Sequence, residues 1–257
     1  MPQPTTLGST ADFFNVTTPV DDPIRDDLVA MVMNRYHATP RHQQVELGPS
    51  EVGHPCMRKM AQGIMAEPRQ NPESDPLPSI IGTASHTWMD SAARLDNQRL
   101  DRERWLVEHR VYVAPGLSGS CDLFDTDNGN VIDHKFPGPT RFDKHKKNMD
   151  PVYRAQVHLY GLGFENAGYT VNNVCIALFP RGGSLRNMRL WKEPYDRQLA
   201  QAVLTRRDQT IALLDDFQVQ EHPERYAWFP AEPHECEYCP WWSPKPDGPL
   251  QCRGGAM

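Results

Sequence analysis

The sequence predicts an α/β or mixed α+β chain, and three observations predict it. Apolar residues recur at helical spacing in separated stretches, and runs of alternating or continuous apolar character lie between them. The two kinds of run also interleave, in the order helix, strands, helix, strand, helix. With 257 residues the chain is long enough for one or two domains and for a core that needs no disulfide staples. A hydrophobic fraction of 39% and a charged fraction of 23% exclude wholesale disorder and collagen-like or coiled-coil classes. Its 24 prolines are about twice the usual ~5% share and argue for long connections. No apolar run approaches the ~20 residues of a membrane span, so no membrane partner is expected. The start, MPQPTTLGSTADFF, lacks the basic and apolar regions of a secretory signal, and the expected location is cytoplasmic. A net charge of −6 means that any nucleic acid must be held by a local groove rather than by a global field.

Taken in order, residues 1–22 read as a flexible arm, and residues 23–257 as one domain with a cysteine-held C-terminal tail. Asp26 to Tyr36 reads as a short amphipathic helix, and a second helix follows Cys56. Glu67 to Pro78 carries four prolines and no period, which marks a loop. Ile80 to Leu100 is a longer helix with Ser79 as its cap, sharing Ile81, Ser85, Trp88 and Ala92 on one face with His86 beside it. WLVEHRVYV, GSCDLFDT and NVIDHKF are strands. The first two are separated by a turn over Gly116–Gly119, and the last two by a hairpin whose Asn128-Gly129 pair signals a two-residue turn. RFDKHKKNMD reads as a basic loop, PVYRAQVHLYGLGFENAG as a helix, and NNVCIALFPR and NMRLWKEPY as strands. Tyr195 to Phe217 is a long helix facing inward through Leu199, Val203, Ile211, Leu214 and Phe217.

The chemistry concentrates around the hairpin. Asp122 and Asp133 approach one another on neighbouring strands, and Asp133 and Lys135, two apart, project from one face. Converging carboxylates are a hard-oxygen site suited to Mg²⁺ or Mn²⁺. A lysine beside them can orient or deprotonate a water and steady charge on a phosphate in flight, which is what phosphodiester hydrolysis requires. Gln156 and Tyr160, four apart, share a helix face, and His86 supplies an imidazole from the earlier helix.

In this order the residues resemble the PD-(D/E)xK nuclease superfamily, and more narrowly its RecB-like branch. The matching motifs are G-x-x-x-H (Gly82 to His86), G-x-x-D (Gly119 to Asp122), (D/E)-x-K (Asp133 to Lys135) and Q-x-x-x-Y (Gln156 to Tyr160). The resemblance implies a restriction-endonuclease-like core, a mixed sheet flanked by helices. It implies metal binding by His86, Asp122, Asp133 and the backbone carbonyl of His134. It also implies catalysis by Lys135 with Asp122 and Asp133, and positioning of the DNA backbone by Gln156 and Tyr160. The second acid is Asp where Glu is frequent, which shortens its reach and keeps the ligand type.

Six cysteines without an export signal are not expected to pair as disulfides. Cys121 and Cys175 fall in strands and read as small buried hydrophobes. Cys236 and Cys239 form a C-x-x-C pair, and with Cys252 and Cys56 they make a candidate site for zinc or for an iron–sulfur cluster. The resemblance leans to a 4Fe-4S cluster, because CRISPR-adaptation exonucleases and the AddB nuclease domain carry one cysteine before the nuclease core and three after it. The Cys239–Cys252 gap is longer here than in that pattern. Lys144, Lys146, Lys147, Arg181, Arg186, Arg189 and Lys192 are candidate phosphate contacts. Trp241 and Trp242 are candidates for stacking on bases or for packing in the tail.

The expected function is therefore a metal-dependent DNA exonuclease acting on single strands or exposed ends. The alternatives are a zinc-stapled endonuclease and a nuclease-like module that binds DNA or protein without turnover. The pathway served, whether CRISPR, repair or phage recombination, and any protein partner are not written in the sequence.

Overall fold

The computed structural model describes residues 23–38, 47–71 and 75–255. The arm expected over residues 1–22 lies outside them. The chain divides into two compact units, Met1–His42 and Gln43–Met257. In the first, helix α1 spans Pro23–His37 and buries none of its residues. The helix is as expected, and its Ile24, Leu28, Val29 and Met31 are all more than half exposed.

The second unit is built on one sheet with strands in the order β1-β2-β3-β4-β5. The strands are β1 Trp105–Ala114, β2 Leu117–Asp125, β3 Asn130–Lys135, β4 Asn173–Leu178 and β5 Arg189–Pro194. Only the β3–β4 pair is parallel; the others are antiparallel. The parallel step needs a crossover, and helices α5 (Pro139–Lys147) and α6 (Pro151–Asn166) supply it. The segment RFDKHKKNMD is thus mostly helix rather than the expected loop, with Pro139 in its first turn. The β2–β3 turn is also longer than expected. Asp125 pairs with Asn130, leaving a four-residue loop whose Gly129 has φ +61°. Asp125 holds that loop by accepting from Asn128 Nδ2 at 2.7 Å and Arg104 Nε at 3.1 Å.

Helix α6 lies on the sheet and buries Val157, Leu159, Leu162 and Phe164 against Val111, Phe124, Val174 and Ile176, with Phe124 and Phe164 stacked at 4.2 Å. Helix α7 (Arg197–Phe217) packs beside α6, and α3 (Met57–Ile64) packs on α7. The expected inward face of α7 is largely borne out: Leu214 is buried, and Leu199, Val203 and Phe217 are half-buried, with Ala200, Arg207 and Thr210 also buried. The exception is Ile211, 41% exposed.

Helix α4 spans Leu77–Leu100. Its N-cap is Pro76 rather than Ser79, which sits inside the first turn. Its half-buried positions recur as pairs (Ser85 and His86, Met89 and Asp90, Ala92 and Ala93), so Trp88, 67% exposed, faces away from them. Among the described residues no helix is long and apolar enough to cross a membrane.

The tail has little core of its own and is stitched to its neighbours through backbone groups. Gln62 Nε2 donates to Leu250 O at 2.6 Å and Arg58 to Gln251 O at 2.8 Å. Asn71 Nδ2 donates to Cys239 O at 2.7 Å and to Trp242 O at 2.8 Å. Trp241 is buried, with Nε1 donating to Pro68 O at 3.1 Å, so it packs in the tail and offers no face for stacking.

Candidate active site

The β2–β3 ladder runs from Asp125↔Asn130 to Leu123↔Ile132 and ends there, while β2 continues beside β1 to Ala114↔Leu117. The two strands therefore part just before Asp122 and Asp133, and the site lies in the opening. Gly119 allows this path, and not by forming a turn, because it lies within β2 opposite Val111. A Cβ there would come within 2.8 Å of Pro49 Cδ and 3.2 Å of the Tyr160 ring. Pro49 belongs to the short helix α2 (Pro49–Val52), which packs against α6. The glycine of G-x-x-D is thus a packing requirement. Gly82, in G-x-x-x-H, has open space around it.

Strand alternation divides the β3 side chains between the sheet's faces. Asp133 and Lys135 face α6. Lys135 Nζ lies 2.8 Å from Asp133 Oδ2, donates to Gln156 Oε1 at 3.1 Å and sits 4.6 Å over the Tyr153 ring. Gln156 Nε2 donates to Asp133 Oδ1 at 2.9 Å and to the Tyr160 hydroxyl at 3.2 Å. Gln156 and Tyr160 are both buried, so they face the Asp133–Lys135 pair rather than solvent.

On the other face His134 meets α4. Its ring lies 6.2 Å from that of His86 and 5.8 Å from Phe179. Asp122 joins the group: its Oδ2 accepts the His134 backbone N–H at 2.6 Å and lies 3.4 Å from His86 Nδ1. Among the described residues, His86, Asp122 and His134 form the one group of three potential metal ligands whose donor atoms lie within 4.8 Å of one another. Asp133, held by Lys135 and Gln156, stands outside that group.

The electrostatics follow from burial and pairing. Burial pulls the His86 imidazole down, but the Asp122 and Asp133 carboxylates outweigh it and raise it above its ordinary range. Burial pushes Asp122 up, yet His86 and the His134 N–H hold it below the usual carboxylate range. Asp133 is held above that range by burial, despite Lys135. Burial opposes the Lys135 charge, and Asp133 more than restores it. Burial lowers the His134 imidazole.

Sequence reasoning counted His134 only for its carbonyl and overlooked three groups at the site: the His134 ring, Tyr153 and Asp90. Asp90 lies one turn beyond His86 on α4, and burial together with Asp122 raises its carboxyl. The i,i+4 spacing from His86 was the available signal for Asp90, and period-two alternation was the signal for the His134 ring.

All six cysteines are free thiols, and Cys121 and Cys175 are buried in strands as expected. Cys56, Cys236, Cys239 and Cys252 line one small cavity. Cys56 caps α3, its Sγ accepting from Lys59 N at 3.4 Å, and Cys252 Sγ accepts from Gly254 N at 3.3 Å. Arg206 of α7 ties down the loop before Cys56 by donating to Pro55 O at 2.9 Å and to Val52 O at 3.3 Å. The basic residues named from sequence are all exposed. Lys144 is paired with Glu235 at 3.2 Å and Lys146 with Asp143 at 2.9 Å.

Residues 32–243 match the family described as the PD-(D/E)XK nuclease superfamily. The chain belongs to that superfamily, and its five-stranded mixed sheet flanked by helices is the restriction-endonuclease-like fold that the motifs imply. Among solved structures, an alkaline exonuclease from Laribacter hongkongensis is similar at 14% identity and a TM-score of 0.48, covering 72% of this chain and 94% of that one. A phage-related exonuclease from Haemophilus somnus is similar at 13% identity and a TM-score of 0.42, covering 64% and 82%. No curated protein matches the sequence.

Proposed function

We propose that this nuclease is a divalent-metal-dependent DNA exonuclease that acts on single strands or free ends, with Mg²⁺ or Mn²⁺ in the opening between β2 and β3. The observation that carries the reading is the parting of those strands at the point where Asp122, His86, Asp133 and Lys135 come together. The donor set fits such an ion. Cis ligands at about 2.1 Å from one metal stand about 3 Å apart, close to the 3.4 Å between His86 Nδ1 and Asp122 Oδ2. Phe179 N donates to Lys135 O across to β4, so by alternation the peptide groups of His134 turn toward the departed β2, which favours its carbonyl as a further ligand.

Such an ion would supply Lewis-acid activation of water and neutralisation of phosphate charge. The protein's own groups do the rest. Asp122 and His86 fix one side of the opening. Lys135 carries its ammonium on the other side, where it orients water and stabilises negative charge developing on the phosphate. Gln156 holds both Lys135 and Asp133, and Tyr160 braces Gln156. Exposed Lys147, Arg186, Arg189 and Lys192 provide a local path for the DNA backbone on an acidic protein.

The RecB-like branch is the reading best supported by His86 beside Asp122 and by the Gln156–Tyr160 pair behind Asp133. For the four cysteines we infer a 4Fe-4S cluster, as the resemblance implies: all four line one small cavity, and a four-thiolate set suits such a cluster.

End-labelled single- and double-stranded DNA incubated with protein and Mn²⁺ tests the activity: mononucleotides released from ends are expected, and Asp122→Ala or Lys135→Ala should abolish their release. Wild-type rates in either variant would overturn the assigned site. Anaerobic purification should yield iron and labile sulfide, and stoichiometric zinc instead would overturn the cluster.

A further inference from the structure

We propose that the His134 imidazole, and not only its backbone, is a metal ligand, making the site a two-histidine, one-carboxylate centre that prefers Mn²⁺ and similar transition ions to Mg²⁺. The inference rests on the reading of this opening as a metal site and deepens it.

Three observations carry it. His134 is 3% exposed, and its Nδ1 is buried without a hydrogen-bond partner among the described residues. Leaving such a nitrogen unpaired is unfavourable unless something occupies it. The ring also lies on the His86 side of the sheet, and one of its two nitrogens belongs with the donor atoms of His86 and Asp122 in the group within 4.8 Å. Finally, the ring is held in place. Asp122 grips the His134 backbone N–H at 2.6 Å, and Phe179 packs edge-on against the imidazole at 5.8 Å. A ligand whose position is set before metal arrives gives up little freedom on binding.

The consequence concerns selectivity. Mg²⁺ favours oxygen donors and holds its water tightly, whereas imidazole suits first-row transition metals. Replacing one oxygen by a second imidazole nitrogen therefore shifts preference away from Mg²⁺.

The test is metal binding by the full chain, read without DNA. Mn²⁺ is titrated by the EPR signal of the free ion, and nitrogen couplings of bound Mn²⁺ are read by electron spin-echo envelope modulation. The wild-type spectrum should report two imidazole nitrogens. His134→Gln should report one and lose Mn²⁺ affinity at least about tenfold, a loss that even outer-sphere substitutions reach, while competing Mg²⁺ loses much less. Tight Mn²⁺ binding with a single imidazole in the wild type would overturn this inference and leave the proposed metal site standing. Equal losses of the two ions in His134→Gln would overturn the selectivity. No bound Mn²⁺ at all would overturn both readings. The wild-type nitrogen count decides the matter even if the variant does not fold.

Discussion

Replacing Gln156 by leucine tests whether this side chain braces the site or contacts DNA. The change keeps side-chain volume roughly constant and removes the donor to Asp133 at 2.9 Å, the acceptor for Lys135 at 3.1 Å and the contact with Tyr160 at 3.2 Å. Hydrogen bonds to charged groups contribute about 1.5–3 kcal/mol each, and the two charged ones here share a network, so their losses do not add. Asp133 and Lys135 keep each other at 2.8 Å, which limits the damage. A destabilisation of about 2–4 kcal/mol is expected. With a urea m-value of roughly 2–3 kcal/mol per M, that lowers the unfolding midpoint by about 1 M. Exposed Gln201→Leu on α7 serves as the control and should leave the midpoint within the usual scatter of surface substitutions, about 0.5 kcal/mol. With Lys135 less well placed, turnover should fall by about a hundredfold with KM little changed. An unaltered midpoint together with a raised KM would refute the bracing role and return Gln156 to the DNA interface.

Asp125→Ala removes the group that holds the β2–β3 loop through Asn128 and Arg104, and should cost about 2–4 kcal/mol by urea unfolding; a loss below 0.5 kcal/mol would show that the loop holds itself. Gly119→Ala must displace Pro49 or Tyr160 and should destabilise by about 1–3 kcal/mol, whereas Gly82→Ala on α4 meets nothing and should stabilise by up to about 1 kcal/mol. The opposite order of melting temperatures would contradict this packing account. Burial lowers the His158 imidazole despite Glu193, and its Nδ1 accepts the Asp196 N–H at 3.1 Å, so the folded state needs the ring neutral. The unfolded chain then binds the proton more readily. This contribution to stability is complete above about pH 6.5 and is lost as pH falls below it, by at most about 1.4 kcal/mol per unit. Urea titrations at pH 7.5 and 5.5 should show a smaller pH effect in His158→Gln than in the wild type, and an equal effect would refute the assignment.

The parts of the fold that were legible in the sequence are those written in a period. Alternating or continuous apolar runs marked the five strands, and helical spacing marked α4, α6 and α7. Asp133 and Lys135 were read onto one face from their two-residue spacing alone, and the 2.8 Å ion pair is the result. Features set by distant contacts were not legible. Helix α5 looked like a loop because four basic residues crowd its end and only His145 is buried, so it carries almost no apolar stripe. Ile211 looked inward-facing on hydrophobicity, yet it is 41% exposed while Arg207 and Thr210 are buried, and Arg207 reaches Pro115 O at 3.3 Å from there. The glycine of G-x-x-D was assigned to a turn because its packing partners, Pro49 and Tyr160, are far away along the chain.

The same distinction explains why the site sits at a broken edge of the ladder. In an intact sheet, consecutive residues of β3 serve opposite faces, and no single ion or water could be reached by both Asp133 and His134. Where the β2–β3 ladder ends beyond the Leu123↔Ile132 pair, β3 loses its neighbour on that side. His86 and Asp122 approach from one side, and Lys135 with Gln156 from the other, so on the proposed reading an acid–histidine–lysine tripeptide presents two kinds of chemistry to one phosphate. Gly119 is where β2 runs against Pro49 and Tyr160, and a side chain there should lower turnover by displacing Tyr160 from Gln156. If Gly119→Val retained full nuclease turnover despite its packing penalty, that packing would not be what positions Gln156 and Lys135.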